Sequence, residues 1–304
     1  MVKMTKLPTT RKRTIRLHKA ILQRVRRIFR TGGEHVVNPL PATGTLVVSY
    51  PKTGRTWLRI MLGKYLCLRY ELDESQLLNT RFLTYRADLS VTRFGHDGSD
   101  LNKQLHNQLS FRDVDDSKEN YRDKRILLLT RSIEDTMVSA YFQVTKRLNL
   151  YDGSISDFLR DERFGVEKFV RFYQGWHRQQ GVPKKFAQIS YEQMHADPAG
   201  ALRAALVFIG EQQVDETIVQ DSVRFGAFGN MQRLERSGHF AEGIMQATDR
   251  TDLDSHKVRR GVVGGYIEYL SSDDLEYIRK TTAAVNCPWV TLLSNALTAE
   301  NYRQ

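Results

Sequence analysis

The stretch Thr45-Leu-Val-Val-Ser-Tyr-Pro-Lys-Thr-Gly-Arg-Thr-Trp-Leu-Arg59 limits what this chain can fold into more than any other. Leu46 to Ser49 is an apolar, β-branched run that reads as a buried strand. Pro51 and Gly54 break the run, and apolar residues then recur at helical spacing from Trp57 to Leu68. A strand, a tight loop and a helix start leave backbone N–H groups aimed at one spot, where the helix dipole also favours negative charge. The loop adds two cations and two hydroxyls, Lys52, Thr53, Arg55 and Thr56. Such a loop is suited to hold a phosphate.

The order of its residues is not that of a nucleotide hydrolase or kinase loop, in which a lysine follows the last glycine of G-x-x-x-x-G-K-[ST]. Lys52 instead precedes the only glycine, Gly54. A second apolar run, Arg125-Ile-Leu-Leu-Leu-Thr130, reads as another buried parallel strand. It leads into Arg131-Ser-Ile-Glu-Asp-Thr-Met-Val-Ser139, which offers a guanidinium fork at a strand end and a hydroxyl on the next helix. Phe186 to Tyr191 reads as a third strand, and Asp197-Pro198 as the N-cap and first residue of a helix ending at Gly210.

The Pro-Lys-Thr-Gly-Arg-Thr-Trp loop with the Arg131–Ser139 pair resembles the sulfotransferases that use 3′-phosphoadenosine 5′-phosphosulfate (PAPS). Weaker echoes are the segment around Tyr191, Phe228-Gly-Asn-Met231 and Arg259-Arg-Gly-Val-Val-Gly264, so the resemblance runs from about residue 44 to residue 280. It implies an α/β domain with a central parallel sheet flanked by helices and a P-loop-like phosphosulfate-binding loop. It further implies that Lys52 contacts the bridging oxygen, and that Thr53, Gly54, Arg55 and Thr56 surround the phosphosulfate. Trp57, Tyr191 and Phe228 would take the adenine, while Arg131, Ser139, Arg259, Arg260 and Gly261 take the 3′-phosphate. The chain departs from the family's pattern at Arg55, where a small hydroxyl residue is common, and at Arg260, where lysine is usual. Gly265, Tyr266 and Ile267 replace the acidic, tryptophan and lysine residues after Gly264, and the dimer motif of the animal cytosolic enzymes is not evident.

The reaction so implied is in-line sulfuryl transfer to an acceptor hydroxyl or amine, releasing adenosine 3′,5′-bisphosphate (PAP). Catalysis would rest on positioning and charge stabilisation. The family places a histidine between the two phosphate motifs as general base, and His96, in the polar stretch Gln76 to Arg122, has that position; Asp97 and His106 compete with it. Sulfate carries less charge than phosphate, so no metal is expected, and the eight histidines form no cluster of metal-ligand spacing. An ATP-dependent P-loop phosphotransferase is the alternative, but it leaves Arg131, Ser139 and Arg259 to Gly261 without a task. A nucleotide-binding scaffold without activity fits less well with Lys52 and a candidate base in place. The glycine- and cation-rich residues 226–265 are expected to be mobile when empty and to order over bound nucleotide.

Charge separates the chain into two parts. Residues 1–33 carry 11 cations and no acid, whereas residues 34–304 carry 35 cations against 35 acids, so the whole net charge of +11 sits at the N-terminal end. A nucleic-acid-binding body is therefore not indicated. Within residues 14–30, Leu17, Ile21, Leu22, Val25, Ile28 and Phe29 share one helical face opposite a basic one. Such a helix either packs on the domain or lies on an anionic membrane surface. The expected organisation is thus a basic amphipathic segment, 1–33, and a sulfotransferase domain, 34–304. No signal peptide or apolar run of membrane-spanning length is visible. Cys67 and Cys287 follow no pattern and read as free thiols of a reducing, cytoplasmic compartment. The acceptor stays open among small-molecule, carbohydrate and lipid classes, and no oligomeric state is implied.

Overall fold

The computed structural model describes residues 44–101, 116–240 and 253–293, all within one compact unit, Leu40–Phe240 with Ile244–Gln304. A second unit, Met1–Pro39 with Ala241–Gly243, lies wholly outside the described residues, as do the basic segment 1–33 and His106. Strand β1, Thr45–Ser49, is followed by helix α1, Arg55–Arg69, then by α2, Thr80–Arg86, and strand β2, Thr92–Gly95. Strand β3, Arg125–Thr130, leads into α3, Ile133–Phe142, which runs on as a π-helical turn, Gln143–Arg147. Next come α4, Ile155–Arg160, α5, Val166–Arg178, and strand β4, Lys185–Ser190. The rest is helical: α6, Tyr191–Ala196, α7, Pro198–Ile209, α8, Glu216–Phe225, α9, Phe228–Ser237, and α10, Ser272–Thr282.

The four strands pair in the order β2-β1-β3-β4, every pair parallel. Both faces of the sheet are buried, which is why β1 and β3 read as unbroken apolar runs. Val47, Leu127 and Leu129 pack on one face with Leu58, Met61 and Leu62 of α1 and Leu202 and Leu206 of α7. Val48, Ile126 and Leu128 point to the other, against Ile133 and Met137 of α3, Phe169 and Trp176 of α5 and Ile278 of α10. The chain leaves β1 for one edge and β3 for the other, so the loops after these two neighbouring strands flank a switch point. Ligands of open α/β sheets bind at that place.

Local chemistry explains the boundaries. Asp197 caps α7 by accepting from the Gly200 amide at 2.8 Å, Pro198 fills the first turn, and Gly210 closes the helix at φ 108°. Tyr191 does not end a strand. Ser190 and Gln193 form a reciprocal capping box, so Tyr191 opens α6 instead. Strand β2 lies in the polar stretch Gln76 to Arg122, where no strand is expected; it is only four residues long, with Thr92 and Phe94 buried and Arg93 and Gly95 half-buried. The expected lid 226–265 is in part helix, because α9 buries Met231, Leu234 and Glu235, while 241–252 lies outside the described residues. Cys67 and Cys287 are buried free thiols. Among the described residues no helix is long and apolar enough to cross a membrane.

Candidate active site at the ends of β1 and β3

The loop after β1 is held from beneath by Tyr50, which is fully buried with its ring 5.2 and 5.7 Å from those of Phe169 and Phe172. Above it the backbone turns through two left-handed residues, Lys52 at φ 74° and Gly54 at φ 89°. Gly54 tolerates no side chain there, since a Cβ would lie 2.7 Å from Met194 Cε and 2.8 Å from Tyr191 Cδ2. Thr53 is buried and its hydroxyl donates to the Tyr50 carbonyl at 2.9 Å. Arg55 and Thr56 begin α1, and Trp57 packs edge-on against Tyr191 with ring centroids 5.8 Å apart.

The second loop meets the first directly. Arg131 donates from Nη1 to the Lys52 carbonyl at 3.2 Å and from Nη2 to the Val262 carbonyl at 3.1 Å. Its guanidinium lies 4.1 Å from the Tyr191 ring centroid and 3.5 Å from the Asp135 carboxylate. Asp135 also accepts from the backbone N–H groups of Gly264 and Tyr266 at 2.8 and 3.1 Å, tying the closing segment to α3. Phe228 touches that segment too, because a Cβ on Gly261, itself at φ 68°, would meet the Phe228 ring at 2.2 Å. Arg259 lies 4.1 Å from the Phe142 ring centroid and donates to the Tyr269 hydroxyl at 2.8 Å. Arg260 forms a two-pronged pair with Glu268 at 2.5 and 2.7 Å. Ser139 is half-buried, two turns along α3 from Arg131. Of the sequence-predicted residues, Lys52, Gly54, Trp57, Arg131 and Tyr191 are brought into contact around the two loops and Phe228 is brought to Gly261, while Arg260 is turned to a carboxylate of its own.

Positive charge is concentrated here. Burial, and then the charges of Lys257, Arg147, Arg131 and Arg259, hold the Lys52 amine well below its ordinary value. Burial, with Arg147, Arg55 and Arg59, likewise pushes Lys257 down to about 7. Gln143 bridges part of the cluster, its side-chain oxygen accepting from Lys52 Nζ at 3.3 Å and from Arg147 Nη1 at 3.1 Å. Gln143 opens the π-helical turn, a distortion frequent at functional sites. Gln143, Arg147, Lys257 and Asp135 were not singled out from sequence. Only Asp135, four residues after Arg131 and hence on one helical face with it, had a local signal.

His96 follows β2, half-buried, with Nδ1 2.8 Å from the Ser49 carbonyl oxygen. A carbonyl only accepts, so Nδ1 carries the proton and Nε2 keeps the lone pair. Burial, then the charge of Arg55, holds the imidazole well below its usual range despite the Ser49 bond, so the ring is neutral at pH 7. Asp97 is otherwise engaged, paired with Lys118 Nζ at 2.9 Å and accepting from the Tyr121 hydroxyl. Its side chain is 12% exposed, and it braces the turn that carries His96.

Residues 42–287 match the family model of the sulfotransferase domain. No curated protein matches the sequence. Among solved structures, that of mouse sulfotransferase SULT7A1 complexed with PAP superposes with a TM-score of 0.54 at 18% identity, over 80% of this chain and 83% of that one. Retinol dehydratase in complex with androsterone and PAP gives a TM-score of 0.54 at 15% identity, over 88% and 84% of the two chains. Its complex with retinol and PAP gives 0.52 at 16% identity over the same shares. At such identities the likeness is one of fold.

Proposed function

Since this chain belongs to the sulfotransferase family, we propose that the cluster around Lys52 and Arg131 is its donor site and that the acceptor is a small molecule bearing a hydroxyl group. The donor is PAPS, which when bound supplies the sulfuryl group and leaves as PAP. The carrying observation is the Arg131 to Lys52 contact of 3.2 Å, which joins the two phosphate motifs into one anion site at the switch point. The residues fit such a ligand. Arg131 Nε and Trp57 Nε1 are buried polar atoms without a partner, and Gly54 and Gly261 let Tyr191 and Phe228 approach the backbone more closely than any side chain would allow.

Lys52 sets positive charge against the leaving oxygen, with the backbone N–H of Thr53 and the start of α1 adding donors. Arg131 and Arg259 hold the 3′-phosphate, with Ser139 on α3. Trp57 and Tyr191 on one side and Phe228 on the other form the apolar slot for adenine. His96 takes the acceptor proton at Nε2, its ring oriented through Nδ1 by the Ser49 carbonyl. Retinol dehydratase, of the same fold, is complexed with androsterone or with retinol, which supports a small-molecule acceptor. The basic segment 14–30 would add contact with anionic lipid, a separate question decided by vesicle binding of a chain starting at Glu34.

Calorimetry tests the donor site. PAP is expected to bind at least tenfold more tightly than ADP or ATP, and Arg131→Ala to lose about 1.5–3 kcal/mol of that binding. Equal affinity for ATP contradicts the assignment. The pH dependence has a definite sign. Lys257, at about 7, is partly neutral in the empty site, and Lys52 is shifted in the same direction; a bound anion favours the charged form of both, so binding takes up protons. Affinity should therefore weaken as pH rises above about 7, and a pH-independent affinity would contradict the placement of these amines.

A further inference from the structure

The turn that carries His96 is gripped by a buried ion pair whose cation comes from another part of the fold. His96 to Ser99 form a tight turn with left-handed backbone at both central residues, Asp97 at φ 48° and Gly98 at φ 77°. Ser99 closes it, donating to the His96 carbonyl from its N–H at 2.9 Å and from its hydroxyl at 2.6 Å. The Asp97 carboxylate meets Lys118 Nζ at 2.9 Å and accepts from the Tyr121 hydroxyl. The Lys118 side chain is only 2% exposed, and its ammonium lies 5.0 Å from the Trp176 ring centroid. Its backbone N–H donates to Gln179 Oε1 at 3.0 Å, and the Tyr121 ring lies 5.2 Å from that of Trp176. Trp176 is near the C-terminal end of α5 and Gln179 just follows it, so the residue next to His96 is tied to the end of a helix packed on the sheet.

We infer that Lys118 is a positioning residue for His96. Acting through Asp97, it holds the turn so that the imidazole keeps its Nδ1 bond to the Ser49 carbonyl and presents Nε2 to the acceptor. This rests on the base role given to His96 above. A buried ion pair is a poor device for stability alone, because taking two charges out of water costs about as much as their attraction returns. It does fix a geometry sharply, and this turn needs one fixed. Ser99 sets the shape of the turn but bonds back to His96 itself, and Gly98 has no atom within 4 Å of where a Cβ would lie, so it adds no packing. The orientation of the turn against the sheet is therefore left to Asp97 and to the 2.8 Å contact between His96 and Ser49.

The test combines Asp97→Asn with Lys118→Met. Asparagine accepts a left-handed backbone and methionine keeps an apolar stem over Trp176, so both charges go while the packing stays. The double variant should keep the melting temperature and the PAP affinity of the unaltered chain. Transfer of radioactive sulfur from PAPS to a fixed mixture of small hydroxyl compounds should fall about 10²-fold, the cost of a reacting group misplaced by about 1 Å. Nitrogen-15 NMR of the histidine rings gives a readout that a merely structural pair would not move, the His96 signals being those absent from His96→Ala. In the unaltered chain they should report a proton on Nδ1 alone, and in the double variant a mixture of both tautomers. Normal transfer, or an unchanged tautomer, overturns the inference. If the double variant does not fold, Tyr121→Phe, which removes one donor to Asp97, decides by the same two readouts, with transfer expected to fall about tenfold. Normal transfer by His96→Ala refutes the base role itself, a result distinct from any of these.

Discussion

Replacing His96 with alanine lowers turnover by about 10²–10⁴-fold, the range for loss of a positioned general base, while PAP affinity changes little. The expectation rests on the tautomer. The Ser49 carbonyl 2.8 Å from Nδ1 leaves Nε2 as the basic nitrogen, and the neutral ring is ready to accept a proton at pH 7. Asp97, the nearest competitor, is held by Lys118 and Tyr121 and does not take over the duty. The pH profile carries a further signature. A base must be deprotonated to act, so turnover of the unaltered chain falls as pH drops through the His96 pKa in the complex. Burial and Arg55 set that value low in the empty site, and a bound anion, by offsetting Arg55, Arg59 and Lys257, moves it upward. His96→Ala should lose this acid limb. Near-normal turnover, or an unchanged limb, would remove His96 from the mechanism.

Lys52→Ala is expected to cost about 10²–10³-fold in turnover, the scale of one preorganised charge at the leaving oxygen. The loss should fall on the chemical step rather than on PAP affinity, because Arg131 and Arg259 still hold the 3′-phosphate. Lys52→Arg should not restore activity. The amine is placed by a backbone at φ 74° and by a 3.3 Å bond to Gln143, a setting for a compact ammonium and not for a longer planar fork. Equal losses in kcat and in PAP affinity would instead make Lys52 a binding residue. Gln143→Leu offers a control, since it removes the neutral acceptor shared by Lys52 and Arg147 without removing either charge.

What could be read in the sequence was whatever has a local cause. Strands β1 and β3 stood out because burial on both faces demands apolar runs, and α7 because Asp197, Pro198 and Gly210 each satisfy a helix end. Strand β2 did not, being an edge of four residues with one large apolar side chain, Phe94. Tyr191 was misplaced by one element because the Ser190–Gln193 capping box outweighed the apolar run before it. The phosphate loops carried their chemistry in short motifs. The groups that tune them did not: Gln143 meets Lys52 across 91 positions, and Asp135 meets Gly264 across 129. Glu235 likewise looks like an ordinary charge on an amphipathic helix until the fold brings the backbone of Lys257 and Val258 to it. No local period signals such long-range contacts.

The central claim is that this site moves a sulfuryl group and not a phosphoryl group. The direct measurement supplies the chain, in parallel, with PAPS carrying radioactive sulfur and with ATP labelled on its terminal phosphate, each with an extract of small hydroxyl compounds. Label from PAPS should appear on an acceptor molecule, with PAP released in equal amount, and should be lost in Lys52→Ala. Transfer from ATP, with none from PAPS, would contradict the account.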